Sequence, residues 1–259
     1  MSNAKTAWGT IRATLGANFS FGYIKEIVGF AGLDMTALGH LRQTQGSGGA
    51  TKDQLLSAVD QQLAKRSDAE LRHVTAIVAE EMLSRNPQLH DALESKLGRH
   101  GWGLVDDQLI PLELFDPAEL AELPAIPRAD LVKAALRFRD GDLSGALSAA
   151  CGAVNGAVAM VYQQHGLGDS TKASFQEGCN RAVQVVSDLE APLCALGWDD
   201  ATVKPFLQNF KGALNQGAYV MQTLRSKMGD VHGTKPILKS LVFDALKWSE
   251  LFVRTLTVK

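Results

Sequence analysis

Apolar positions recur at intervals of three and four along most of this chain, the spacing that lines one face of an α-helix. From Ala7 to Gly32 the series Trp8, Ile11, Leu15, Phe19, Ile24, Ile27 and Val28 predicts one or two short helices. The run Gly46-Ser47-Gly48-Gly49 reads as a turn, and Thr51-Lys52-Asp53-Gln54 after it has the capping-box pattern that satisfies free amides at a helix start. A helix from Lys52 to about Lys65 follows, then one from Asp68 to Arg85 and one that opens at Pro87 and stops at Gly98 or Gly101. Between Trp102 and Leu114 the period shortens around Asp106-Asp107-Gln108, which predicts a short hairpin, the single strand candidate.

Prolines at 117, 124 and 127 interrupt the next stretch and mark it as a connection. Beyond it helices are expected over Arg128–Arg139, from an Asp142 cap to His165 with Gly166 as its stop, and from Asp169 or Ser170 to about Leu189. The clearest stripe runs from Thr202 to Met228 through Leu207, Phe210, Leu214, Ala218, Met221 and Leu224, with Gly229 as the stop. A last helix spans Pro236 to Val258. The expected fold is therefore all-α: a helical N-terminal domain over residues 1–115, a proline-containing linker over 116–127 and a helical C-terminal domain over 128–259.

Composition narrows the setting. A chain of 259 residues with 46% hydrophobic content can bury two modest cores. Its apolar runs fall short of the roughly 18 uninterrupted residues of a membrane span, and the first residues lack a basic segment followed by an apolar run, so a cytoplasmic protein with no membrane partner is expected. Three cysteines, Cys151, Cys179 and Cys194, lack CxxC spacing and read as reduced thiols. Charge is unevenly spread: residues 201–259 hold nine Lys and Arg against Asp230, Asp244 and Glu250. That segment carries +6 and the remainder −8, an asymmetry suited to a polyanion-binding face and equally to a solvated basic helix face.

Polar chemistry concentrates in the loop Gly229-Asp230-Val231-His232-Gly233-Thr234, with Arg225 one turn before the helix stop. Cleaving a phosphodiester without a metal needs a group titrating near neutrality to move a proton, and imidazole at about 6.5 serves. It also needs a fixed cation for the pentacoordinate phosphorus, which a forked guanidinium supplies. The bland reading of the same residues is an Arg that meets the last carbonyls of its helix and a His that bridges two helices.

The stretch Leu224-Arg225-Ser226-Lys227-Met228-Gly229-Asp230-Val231-His232-Gly233 resembles the motif of the abortive infection C-terminal domain family, which reads Leu-Arg-Asn, a few residues, then Gly-Asp-Ala-His-Gly. Ala135 to Ala149, with Arg137, Gly141-Asp142 and Ala146, resembles that family's opening helices, and the resemblance covers Arg128 to Lys259. The family is similar to the larger HEPN superfamily of helical bundles. The resemblance implies a HEPN-like bundle in which Arg225 holds the scissile phosphate of RNA and His232 acts as general acid or base. Ser226, Lys227, Asp230, Gly233 and Lys235 would contact the substrate. It further implies a homodimer with one composite cleft, a 2′,3′-cyclic phosphate product, no cofactor and no metal, and an antitoxin or phage-derived trigger as partner. Ser226 stands where the family has Asn. Non-catalytic members that bind RNA, nucleotide or a partner protein give the alternative expectation.

Other candidates are weaker. Gly46 to Lys52 has Thr51 where a phosphate loop has Gly, and no apolar strand run precedes it. His73, His90 and His100 lack the i, i+4 pairing of a helical metal site, and His40 and His165 lie near turns. Asp140 and Asp142 read as turn and cap residues.

Overall fold

The computed structural model describes residues 4–43, 49–186, 189–230 and 235–258. Among them the chain forms twelve α-helices, two short 3-10 turns and one two-stranded sheet, an all-α fold with a single hairpin. It divides into two compact units, Met1–Pro117 with Arg139–Gly141, and Ala118–Phe138 with Asp142–Lys259.

In the first unit α1 (Ala4–Asn18) and α2 (Phe21–Phe30) are separate helices. The break falls at Ser20, whose hydroxyl accepts the Tyr23 amide at 3.3 Å and so restarts the helix. Helices α3 (Lys52–Leu63) and α4 (Asp68–Arg85) open on full capping boxes, Thr51 with Gln54 and Ser67 with Glu70. Buried residues cover a broad side of α4, from Leu71 and Val74 through Ala76, Val78 and Ala79 to Met82 and Leu83. It is accordingly the central helix, with α1 and α2 packed on it. After α5 (His90–Gly98), β1 (Trp102–Val105) pairs antiparallel with β2 (Gln108–Pro111). The two-residue turn holds Asp106 and Asp107 at φ of 49° and 61°, both left-handed, as a type I′ hairpin demands.

The proline-containing stretch 116–127 holds helical turns. It carries α6 (Pro117–Ala121) and the start of α7 (Ala125–Arg139), with Leu120 and Leu123 buried. Proline breaks a helix only where an amide is needed. Pro117 and Pro127 lie in first turns, where amides have no intrahelical partner.

In the second unit α8 (Leu143–His165) is the axis: Asp142 caps it through the Gly145 amide at 2.9 Å, and Gly166, at φ 63°, ends it in the left-handed conformation. Its buried face is mostly small, with Ala146, Ala150, Ala153 and Ala157. That lets α9 (Phe175–Val186) and α12 (Lys239–Thr257) approach closely. The helix is long and apolar enough to cross a bilayer, and 61% of its most apolar window is buried within the protein. The sequence suggested one helix from residue 169 or 170 to 189; the structure has a 3-10 turn over Ser170–Lys172, then α9. The short α10 (Glu190–Ala195) has no buried residue and left no apolar stripe to read. Asp199 caps α11 (Asp200–Met228) through the Thr202 amide at 3.0 Å. The last helix begins at Lys239 rather than Pro236, and its stripe of Val242, Ala245, Leu246, Phe252, Val253 and Leu256 is buried.

Candidate functional site

Arg225 lies in the last turn of α11, four residues after the buried Met221. The Gly229 amide reaches back to the Arg225 carbonyl at 3.0 Å and closes the helix. Gly229 is not the left-handed stop that a terminal glycine suggests, for its φ of −68° suits any residue. It is needed for space, since a Cβ there would sit 2.5 Å from the Arg225 carbonyl oxygen and 3.2 Å from Ser148 Oγ. The loop after it is tied to α8, where Ser144 and Ser148, four apart on one face, carry the ties. Ser144 Oγ donates to the Met228 carbonyl at 2.8 Å. The Ser148 hydroxyl donates to the Asp230 carboxylate and accepts the Asp230 amide, the latter at 3.3 Å.

Arg137 adds a second hold on Asp230, Nη1 to Oδ2 at 3.4 Å, while its Nε lies 3.8 Å from Asp142. The Ser148 hydrogen bond first and the Arg137 charge next outweigh partial burial and bring the Asp230 carboxyl below the usual aspartate range. On its far side the loop closes where the Lys235 amide donates to the Lys227 carbonyl at 3.0 Å. His232 and Gly233, with Val231 and Thr234, lie outside the described residues. Asp230 thus serves as a tether of the loop, a role its position in the motif does not announce.

Ser226 is exposed and its hydroxyl donates to the Thr223 carbonyl at 2.9 Å, which leaves the oxygen's lone pairs to solvent. Lys227 and Lys235 are exposed on either side of the loop. The basic excess of residues 201–259 is unequally spent. Lys204 pairs with Asp200, Lys247 with Glu250 and Arg254 with Glu119, each at 3.7 Å, and Lys239 lies 5.2 Å over the Phe138 ring. Among the described residues of that segment, Lys211, Arg225, Lys227 and Lys235 have no acidic or aromatic partner, and three of these four flank the loop.

Arg225 also borders a cleft of about 460 Å³ between α8 and the segment 170–175. Its charge pulls on the neighbouring thiol of Cys151, but burial dominates and pushes that thiol up to about 12. Sequence reasoning did not find Ser144, Ser148 or this cleft. The signal was present in part, as two serines one turn apart on a helix otherwise Ala- and Val-rich.

The remaining sequence candidates other than His40 and His165 have structural partners. Lys52 Nζ bonds the Gly16 carbonyl at 3.1 Å, and residues 46–48 of its would-be phosphate loop lie outside the described residues. His100 meets Thr10 at 3.3 Å and His90 meets Asp91 at 3.3 Å. His73 Nδ1 lies 3.1 Å from Asp140, whose two oxygens are forked by Arg139 at 2.8 and 3.1 Å. Arg139, 4% exposed, is held in turn by Glu80 at 2.8 Å and the Leu109 carbonyl at 2.7 Å. Asp140 therefore belongs to an ionic network of the first unit centred on the buried Arg139 rather than to a carboxylate pair with Asp142. Among the described residues no three His, Cys, Asp or Glu side chains converge as a metal site would require. The chain matches no protein-family model, no curated protein and no solved structure.

Proposed function

We propose that this protein is a metal-independent endoribonuclease of an antiphage or toxin system, with Arg225 and His232 as its catalytic pair. The observation that carries the reading is the placing of unpaired cations. Of the eight described basic side chains in residues 201–259, four are spent on acids or a ring, and three of the other four, Arg225, Lys227 and Lys235, are left around one tethered loop. Cations with no protein anion are what a phosphate chain would neutralise. Both described ends of the loop are fixed, by Ser148 and Arg137 at Asp230 and by the Lys227 carbonyl at Lys235, and His232 lies between them in the sequence.

In this reading the ribose 2′-oxygen attacks phosphorus, the bond from phosphorus to the 5′-oxygen breaks, and a 2′,3′-cyclic phosphate is left. His232 moves a proton, either from the 2′-hydroxyl or to the leaving 5′-oxygen, and a second copy of the loop across a homodimer performs the other transfer. Arg225 binds two oxygens of the phosphorane and stabilises its extra negative charge. Lys227 and Lys235 hold flanking phosphates, Ser226 accepts a hydrogen bond, and Gly233 leaves room for the backbone. The setting is cytoplasmic, with an antitoxin or phage-derived trigger as partner.

The test is cleavage of RNA in EDTA. Arg225→Ala and His232→Ala should each lower the rate by about 10²–10⁴-fold while the fold is kept. Full activity in both variants refutes the proposal, and a monomer by light scattering at micromolar concentration refutes the composite site. One observation favours a second reading, a non-catalytic RNA- or nucleotide-binding module: Ser226 replaces the motif's Asn and spends its proton on its own helix. RNA binding that Arg225→Ala abolishes, with no cleavage by the parent protein, would select it.

A further inference from the structure

We infer that the cleft beside Arg225 is a pocket for one ribonucleotide of the bound RNA chain, with its phosphate on Arg225 and its base over the cleft floor. The inference rests on the reading of Arg225 as a phosphate ligand, and it adds what that reading lacks, a place for the nucleoside. The cleft holds about 460 Å³, within the range of about 300–1,000 Å³ for small-ligand sites.

Its lining divides into three parts that match the three parts of a nucleotide. Arg225 is the one charged residue of the lining, and the Asp169 carboxylate behind the rim is engaged by the Thr171 hydroxyl and amide. The floor is apolar: Val158 and Ala159 of α8 lie opposite Phe175, where the helices approach so closely that a Cβ at Gly178 would come 3.3 Å from Val158. Such a surface takes the flat face of a base. Hydroxyl and amide groups form the rim. Thr171 gives its proton to Asp169 at 2.7 Å and keeps an acceptor, while Ser174 accepts the Glu177 amide at 3.2 Å and keeps a proton to donate. One acceptor and one donor suit the hydroxyls of a ribose. Asn155, exposed on α8, offers the bifunctional amide that reads base edges.

The first amides of α9 do not make this site. Gln176 N–H is bonded to Gln222 at 3.0 Å and Glu177 N–H to Ser174, so the anion is left to the guanidinium.

The experiment titrates the four ribonucleoside 5′-monophosphates and a short single-stranded oligoribonucleotide into the full chain by calorimetry, beside Ala159→Trp and Asn155→Ala. Ala159 is solvent-facing on α8, so the indole fills the cleft without entering the core, and thermal melting confirms folding. Saturable monophosphate binding is expected, weakened about tenfold or more by Ala159→Trp, with the spread among the four bases narrowed by Asn155→Ala. The oligoribonucleotide should displace the monophosphate. Absence of monophosphate binding, variants that bind as the parent does, or an oligoribonucleotide that fails to compete each overturn the pocket; the last would leave a free nucleotide as occupant. The two proposals fail separately. Binding and competition as expected, with no cleavage in EDTA, refute the nuclease and keep the pocket. Cleavage with unchanged rate and site preference in Ala159→Trp refutes the pocket and keeps the nuclease.

Discussion

The tether between Ser148 and Asp230 can be measured through a double-mutant cycle of Ser148→Ala and Asp230→Asn. A hydrogen bond to a charged acceptor is worth about 1.5–3 kcal/mol when buried. Asp230 keeps 40% of its side chain exposed, so water recovers part of that loss and about 1 kcal/mol is the expected coupling. Ser148→Ala also strands the Asp230 amide, which adds about 0.5–1 kcal/mol. Arg137, at 3.4 Å and one-third exposed, contributes little more. These energies are too small to unfold the unit and should appear as local opening of the loop.

The assay is hydrogen exchange at the Lys235 and Gly229 amides, whose acceptors are the Lys227 and Arg225 carbonyls. About 1.5 kcal/mol of loosening speeds their exchange roughly tenfold relative to the unstructured rate. Because the Asp230 carboxyl is depressed, its contribution is fully present above the ordinary aspartate pKa of about 3.9 and is lost as pH falls through the lowered folded value. A carbon-detected titration of the Asp230 carboxyl should show that lowered midpoint in the parent and a rise toward the ordinary value in Ser148→Ala. Additive effects of the two substitutions on Lys235 exchange, to within about 0.3 kcal/mol, would refute the tether.

Arg139→Met should destabilise the first unit by about 2–4 kcal/mol in urea unfolding followed by tryptophan fluorescence. It strands Glu80 and Asp140, which are 27% and 28% exposed, and a change under about 1 kcal/mol would count against a structural network. Gly229→Ala should cost about 1–3 kcal/mol, although glycine-to-alanine changes at an ordinary φ usually stabilise; a more stable variant would show that the loop yields to the new Cβ. In the native protein one thiol should react with a disulfide reagent. Burial pushes Cys151 and Cys179 up to about 12, whereas Cys194 is exposed. Partial desolvation and the charges of Asp200 and Glu190 raise Cys194 too, so Asp200→Asn should quicken its reaction near pH 8, and labelling of two or three thiols would contradict the packing of α8 on α9.

What the sequence revealed and what it hid differ by the range of the forces involved. Helix starts at Thr51 and Asp142 were legible because a cap is a contact over three residues, and the hairpin because Asp106-Asp107-Gln108 reads as a turn. The stripes of α11 and α12 were legible because a buried face repeats. The prolines of 117–127 marked a connection but not its helical turns, since proline forbids a helix interior and permits its first turn, and only the neighbouring burial of Leu120 and Leu123 decides between them.

At the candidate site the legible part is the motif itself, which places Arg225 and the glycine four residues after it but not what supports them. Asp230 meets Ser148 across 82 positions and Arg137 across 93, and no local pattern encodes such partners. The same holds for Gly229, which looks like a helix stop and is there because Ser148 and a carbonyl leave no room for a Cβ. The supports of the loop and the wall of the cleft are both on α8, with Ser144, Ser148 and Asn155 spaced by four and seven residues along it. A substitution on α8 can therefore alter the loop of Arg225 without touching a residue of the motif, and the two sets of contacts on that helix can be separated by experiment: Ser148→Ala should act on loop exchange, Ala159→Trp on nucleotide binding.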